Sequence, residues 1–331
     1  MNLRLFIRIS LGLALFISCS KSPESGHNSN RILPESTGKI NEVVVVMPEK
    51  LWNGEAGAFF RKEFQKEVEG LPQREPEFTL VHVRPQAFSS IFKTHRNLII
   101  VETDTLSAVK MARDVYASGQ YVAQIKGLSE QELILSIQKT HRDIRKKFHR
   151  EEMQRLQYAY EKAGLKSFTS RMEEEYGLKI SIPKDFRLNL EGENFFWLNR
   201  EKPFATEGVL IYTSDLPNDM SLLEDLMDMR DSVTSLYVEG ELEDTYMQIE
   251  RLYDPIMIPF EIQGNLAVEL RGLWRMENDF MGGPFLSYAI MDEKNDRAIH
   301  IDAFVFAPAK DKRNYMTQLE AIVSSAEIIR P

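Results

Sequence analysis

Four consecutive valines, Val43, Val44, Val45 and Val46, lie in an apolar run over 42–47. β-Branched residues suit strands, and an unbroken apolar run suits a strand buried on both faces. Asn53-Gly54 and Gly57 then interrupt the pattern. Phe60, Phe64 and Val68 recur every four residues and predict a helix over 58–68. Leu71-Pro72-Gln73-Arg74-Glu75-Pro76 is a stiff, extended connection. Strands are expected over 78–83 and 97–102, with further candidates at 109–112 and 121–125.

Ser129 opens the clearest helix. Ser129-x-x-Glu132 is a capping box, in which each side chain satisfies a backbone N–H of the other residue. Leu133, Ile137, His141, Ile144 and Phe148 mark one face at steps of three or four. Glu151-Glu152 interrupts that face, Leu156, Ala159 and Ala163 resume it, and Gly164 is a natural stop. At 1.5 Å per residue the helix is roughly 50 Å long. A short helix over 167–176 ends at Gly177, and a strand over 178–182 stops at Pro183.

The second half is strand-rich. Strands are expected near 186–190, 195–199, 208–212, 246–252, 256–260, 266–275, 285–291 and 299–306. A helix over 221–235, with Leu222, Leu226, Met229 and Val233 on its apolar face, interrupts them. Another, over 313–326, closes the chain. This order predicts an α+β fold of two domains. Each would be a largely antiparallel or mixed sheet with packed helices, and the long helix would join them. The second resembles the α-β-α sandwich of the PsbP and Mog1 type. The expected layout is a signal peptide over 1–18, a tether over 19–39, an N-terminal α/β domain over 40–128, the connecting helices over 129–176 and a C-terminal α+β domain over 177–331.

The densest mix of Trp, Arg and Gly lies over 269–291. Two apolar, aromatic-rich runs flank Asn278, Asp279, Gly282, Gly283 and Pro284, which predicts a β-hairpin with a long connection. Trp274 and Phe285 fill a core on one reading and line a binding surface on the other. Arginine beside aromatics is the usual make-up of an interface hot spot, so Arg271 and Trp274 are binding candidates, with Gly282 and Gly283 shaping the loop. Arg230-Asp231 on the 221–235 helix and Trp52, an aromatic in a Gly-bearing loop, join them. The same arginines read alternatively as members of buried structural ion pairs. His300 and Asp302 share a strand face two residues apart and are candidates for half of an acid–base site.

Composition is ordinary for a globular chain of 331 residues, at 43% hydrophobic and 27% charged. Formal net charge is −9, and no basic tract suggests a nucleic-acid surface. No Gly-x-Ser-x-Gly, P-loop, dinucleotide fingerprint or His-Glu-x-x-His is present. No cofactor, metal site or catalytic residue is therefore assigned. The one cysteine, Cys19, excludes an internal disulfide and a Cys-based zinc site. Its position is more informative. Arg4 and Arg8 form a positive n-region, and a short apolar run over 9–17 follows. Phe16-Ile17-Ser18-Cys19 resembles a bacterial lipobox, with Phe16 where Leu is usual. That resemblance implies diacylglycerol on the Cys19 thiol and an acyl chain, such as palmitate, on its amine. Two or more chains anchor stably, at about 0.8 kcal/mol per buried CH2. Ser20, rather than Asp, after the cysteine favours the outer membrane, and the polar stretch that follows is a flexible tether.

Several phrases together resemble a known family. They are Val43 to Val46 followed by Trp52-x-Gly54-x-x-Gly57, Leu71-Pro72-Gln73-x-Glu75-Pro76-x-Phe78, Arg230-Asp231, Arg271-Gly272-Leu273-Trp274, Gly282-Gly283-Pro284-Phe285, and Ala307-Pro308 with Lys312-Arg313. With the lipobox they resemble an uncharacterised Bacteroidota lipoprotein family, the domain of unknown function DUF4837, over nearly the whole mature chain. The resemblance implies an envelope location and assigns no activity. The expected function is a non-enzymatic, lipid-anchored envelope protein that binds a ligand or another envelope protein, facing the periplasm or the cell surface. The alternatives are an envelope hydrolase acting on glycan, peptide or lipid, and a structural spacer.

Overall fold

The valine run becomes β1 (Glu42–Val46), an inner strand of a five-stranded sheet. The computed structural model describes residues 32–216 and 223–329. Cys19, the signal segment, and Ser221 and Leu222 of the expected helix lie outside them. After β1 come α1 (Glu49–Asn53), α2 (Glu55–Phe64), β2 (Thr79–Val83), α3 (Ser90–Lys93), β3 (Asn97–Thr103), β4 (Ala108–Arg113) and β5 (Tyr121–Gly127). The strand order is β2-β1-β3-β5-β4, parallel except for β4 at the edge. Val43 and Val45 pack towards Phe60 and Phe64 of α2 and towards the long helix α4 (Glu130–Lys162). Val44 and Val46 pack on the other face with Val83, Leu98, Phe88 and Phe92. Burial on both faces is what the unbroken apolar run implies. Helix α2 ends at Phe64, before Val68, which instead lines a cleft described below.

Helix α4 keeps its expected length but not its expected interruption. Ser129 Oγ accepts from Glu132 N at 3.3 Å, as a capping box requires. The Glu132 carboxylate, however, accepts from Leu128 N at 3.0 Å, one residue before the cap. Glu151 and Glu152 are buried rather than turned to solvent. Glu152, at 0% exposure, accepts from Arg96 Nη1 at 2.6 Å and Arg155 Nη2 at 2.9 Å. Glu151 accepts from Arg113 Nη2 at 2.6 Å. Paired carboxylates can therefore continue a buried helix face that apolar spacing alone shows as broken. The last turns of α4 carry Met153 and Tyr160 into the second core.

That core is built on α5 (Lys166–Tyr176), β6 (Leu178–Lys179), β7 (Arg187–Gly192), β8 (Phe195–Lys202), β9 (Ala205–Asp215), α6 (Leu223–Tyr237), β10 (Tyr246–Ile249), β11 (Ile256–Ile262), β12 (Asn265–Glu277), β13 (Gly282–Asp292), β14 (Arg297–Phe306), α7 (Arg313–Val323) and β15 (Glu327–Ile328). Eight strands form one antiparallel sheet in the order β10-β12-β13-β14-β9-β8-β7, with β11 also on β12. Strand β14 shows the layering. Ile299, Ile301, Ala303 and Val305 meet the side of α5 and α7, while Phe304 meets the side of α6. The fold is thus mixed α+β, with the second sheet between helices on both faces.

The hairpin connection is shorter than expected. β12 runs to Glu277 and β13 begins at Gly282, with Trp274 opposite Gly283 and Arg275 opposite Gly282. The glycines are strand residues, not turn residues. A Cβ on Gly283 would overlap the Val305 carbonyl oxygen, to which the Trp274 indole Nε1 donates at 3.3 Å. Gly283 serves a close approach of backbones.

From Leu33 onward the chain forms one compact unit. Glu75, from the extended Pro-bearing connection, joins the two sheets. Its carboxylate accepts from Lys312 N at 2.7 Å and Arg313 N at 2.9 Å, which caps α7 from a distance in sequence. Arg313 Nη1 donates back to Pro76 O at 2.5 Å, and Asn41 Nδ2 donates to Thr317 Oγ1 at 2.8 Å. Glu75→Ala removes a buried acceptor from two N–H groups at a helix start. It is expected to cost about 2 kcal/mol in urea denaturation, and a loss below about 0.5 kcal/mol would show that water caps α7 equally well.

Candidate functional site: a cleft between the two sheets

The middle of α4 reads His141-Arg-Asp-Ile-Arg-Lys-Lys-Phe-His149. Ile144 and Phe148 are buried against the first sheet. Helical spacing then places Arg142, Arg145, Lys146 and His149 along a neighbouring face. That face is one wall of a cleft of about 660 Å³. Opposite stand Ile256 and Ile258 of β11, Glu269 and Arg271 of β12, and Met316, Thr317 and Glu320 of α7. Asn41, the 66–69 segment, Glu77, Phe78 and Arg313 complete the lining.

A chain of charges crosses the back of the cleft. Glu320 lies 3.2 Å from His149 Nε2 and 3.1 Å from Arg271 Nη2. Arg271 Nε also pairs with Glu269. Burial alone would raise the Glu320 carboxyl, but Arg271 and His149 outweigh it and hold it down at about 2. The hydrogen bond to Glu320 raises His149 above the usual imidazole value. The Glu320 contribution to stability is complete above about pH 4.5 and is lost as the pH falls towards 2. The His149 contribution runs the other way: complete below pH 6.5 and lost as the pH rises through its raised value. Arg145 is held by Glu77, with Nε donating at 2.9 Å. Arg142 and Lys146 have no ion-pair partner among the described residues.

Arg271 is the one sequence candidate that lines this cleft. Trp274, at 2% exposure, is a core residue and presents no surface to a partner. Trp52 stacks on His82 at 4.7 Å with 2° between the planes, and the Arg61 guanidinium lies 4.9 Å from its ring. Gly282 and Gly283 lie in β13 as described. Arg230, at 1% exposure, pins α6 to β14. Its Nε donates to Asp302 Oδ2 at 2.6 Å, its Nη2 donates to Asp302 Oδ1 at 3.1 Å, and its guanidinium sits 3.9 Å from the Phe285 ring. Asp231 accepts from Ile249 N at 2.7 Å and from Arg251 Nη2 at 3.0 Å. These contacts hold a helix on a sheet.

His300 stacks on Tyr212 at 4.7 Å and bonds Ser214 Oγ through Nε2 at 3.0 Å. Asp302 is committed to Arg230, so the two do not form an acid–base pair. Burial lowers the His300 pKa to about 4. The unfolded chain takes up a proton near pH 6.5 that the folded chain refuses until about 4. Stability is therefore full above pH 6.5 and falls as the pH drops towards 4, by about 3 kcal/mol for this residue. Urea titrations at pH 7 and pH 4.5 are expected to show most of that loss in the native chain and less of it in His300→Gln. Equal slopes in the two proteins would contradict it.

The residues that sequence reasoning passed over are Arg142, Arg145, Lys146, His149 and Glu320. The available signal was a run of cations on one face of α4 in an otherwise acidic chain. What they face comes from two strands and a helix more than 100 residues away.

Among the described residues no helix is long and apolar enough to cross a membrane. No curated protein matches the chain. Among solved structures, the Ran-binding protein Mog1p of Saccharomyces cerevisiae matches with 10% identity, over 46% of this chain and 90% of its own, at a TM-score of 0.33. A protein of unknown function from Pseudomonas aeruginosa matches with 14% identity, over 46% of this chain and 91% of its own, at a TM-score of 0.27. At such scores the fold rests on the sheet order described above. Residues 36–161 match the family model of a domain of unknown function, DUF8532. This corrects the expectation that one family spans the mature chain, because the valine run, Trp52 and the 71–78 phrase all fall under that model. The Arg230, Arg271, Gly282 and Lys312 phrases fall under a second model, and the chain is similar over residues 165–325 to the domain of unknown function DUF4837.

Proposed function

We propose that the protein is a lipid-anchored protein of the outer membrane whose folded body binds a ligand in the cleft between its sheets. The cleft carries the binding reading. At about 660 Å³ it has the size of a ligand site, and it combines apolar walls with Arg142 and Lys146, which have no ion-pair partner among the described residues. The lipobox-like Phe16-Ile17-Ser18-Cys19 supports the anchor.

The anchor is tested by growing cells with an alkynyl palmitate analogue. The native chain is expected to take up the label and to sediment with membranes, and Cys19→Ser is expected to lose the label and become soluble. Label retained in Cys19→Ser would end the lipid-anchor reading. The cleft is tested by native mass spectrometry of the full chain extracted in mild detergent. A non-protein mass is expected to accompany it and to be absent from Val68→Trp/Ile258→Trp, which fills the cleft. The same mass retained in that variant would place the ligand elsewhere.

A further inference from the structure

Resting on the cleft as a binding site, we infer that its ligand is an anionic amphiphile. A carboxylate or phosphate head lies between Arg142 and Lys146, and an acyl chain lies along Val68, Ile256 and Ile258.

Arg142, Lys66, Arg145, Lys146, His149, Arg271 and Arg313 are the basic side chains that line the cleft. Within the cleft, Arg271 is consumed by Glu269 and Glu320, and Arg145 by Glu77. Lys66 pairs with Glu63, and Arg313 donates only to neutral groups at the α7 end. Arg142 and Lys146, four residues apart on one face of α4, have no ion-pair partner among the described residues. Side chains at that spacing are neighbours, and like charges there repel. One oxyanion between them relieves the repulsion and accepts a charge-assisted hydrogen bond from each. Of the acids that line the cleft, Glu269, Glu320 and Glu77 are neutralised by the partners named and Glu67 pairs with Arg74, while Glu69 has no ion-pair partner among the described residues.

Ile258 pairs with Glu269 and Ile256 with Arg271, and cross-strand partners share a sheet face. Both isoleucines therefore face the cleft, and Ile258 remains 45% exposed. A purely ionic ligand would leave that row wet.

The edge of β11 decides between an amphiphile and a peptide. Among the described residues β11 pairs only with β12, so its outer edge is free for strand addition. Pro259 sits at the middle of that edge. Proline in an edge strand turns its nitrogen outward and supplies no N–H there. A strand-adding peptide would lose a central hydrogen bond, whereas an acyl chain needs none.

The test is calorimetric titration of the full chain with laurate and dodecyl phosphate below their micelle concentrations, dodecanol below its solubility limit, and acetate. Laurate or dodecyl phosphate is expected to bind, and the tighter of the two reports whether a fatty-acid or a phospholipid-type head is preferred. Dodecanol and acetate are expected to bind at least about tenfold more weakly, since each lacks one half of the recognition. Arg142→Gln/Lys146→Gln is expected to lose about tenfold or more for the anions and to leave dodecanol unchanged. Lys147→Gln, one residue along the same helix and outside the cleft, should bind as the native chain does. All these side chains are partly or fully exposed, and matching thermal midpoints confirm folding. Dodecanol binding as tightly as laurate, or laurate unaffected in the double variant, overturns the inference. An uncharged mass that accompanies the native chain and is lost from Val68→Trp/Ile258→Trp also overturns it, while the cleft stands as the site. Laurate binding undiminished in that filled variant overturns the cleft itself.

Discussion

Arg230→Met is expected to lower the unfolding free energy by about 3–5 kcal/mol, because it strands the Asp302 carboxylate in the core. Asp302 has no solvent exposure and lies at the centre of the antiparallel sheet, between α6 and β13. Its two oxygens are satisfied by Arg230 Nε and Nη2. Methionine preserves much of the arginine volume and the contact with Phe285, so the loss reports the charge rather than a cavity. Arg230→Met/Asp302→Leu should recover much of it, since replacing both members of a buried pair by apolar groups is often neutral. Arg230 Nη1 already lacks a partner, which lowers what the native pair has to lose in that comparison. Urea denaturation of the three variants settles the matter. A single variant within about 1 kcal/mol of the native chain would mean that water reaches Asp302 once Arg230 is gone.

Glu152→Met is expected to cost a similar amount, about 3–5 kcal/mol, in the first sheet. Glu152 holds Arg96 and Arg155 against the start of β3, and Asn97 Nδ2 lies 3.4 Å from its Oε2. Removing the carboxylate leaves two guanidinium groups facing one another with little water. Burial already depresses the Arg155 pKa, and its Nε and that of Arg96 have no partner in the native chain. The readout is again urea denaturation, with near-ultraviolet circular dichroism to follow the contact between Tyr121 of β5 and Phe148 on the buried face of α4. A loss confined to a few tenths of a kcal/mol would show that the arginines swing out to solvent. These two sites share no residue, so their effects should add to within about 0.5 kcal/mol.

Both experiments concern residues whose meaning differs between sequence and structure. Arg230 reads along the chain either as an interface residue or as half of a buried ion pair with no partner identified, and Glu151-Glu152 reads as a break in an apolar face. In each case a partner from another element converts a charge into a buried anchor. Arg230 finds Asp302 across 72 positions, and Glu152 finds Arg96 across 56. The hairpin glycines are a related case. Gly-Gly-Pro is turn chemistry locally, yet Gly283 lies in a strand because the Val305 carbonyl must come close.

The sequence by itself determined the periodic elements: the doubly buried valine strand, the long capped helix, the strand-rich second half and its closing helix. Local spacing and capping depend on residues within a few positions of each other, so they are visible in one dimension. The lipobox-like segment at Cys19 is likewise a local pattern. Only the tertiary structure decided which charges are buried, which aromatic is core, and that Arg142, Lys146, Ile258 and Glu320 share one cleft. Those properties belong to pairs of elements brought together by the sheets, and the free energy of a charge depends on the partner and the water that folding leaves beside it.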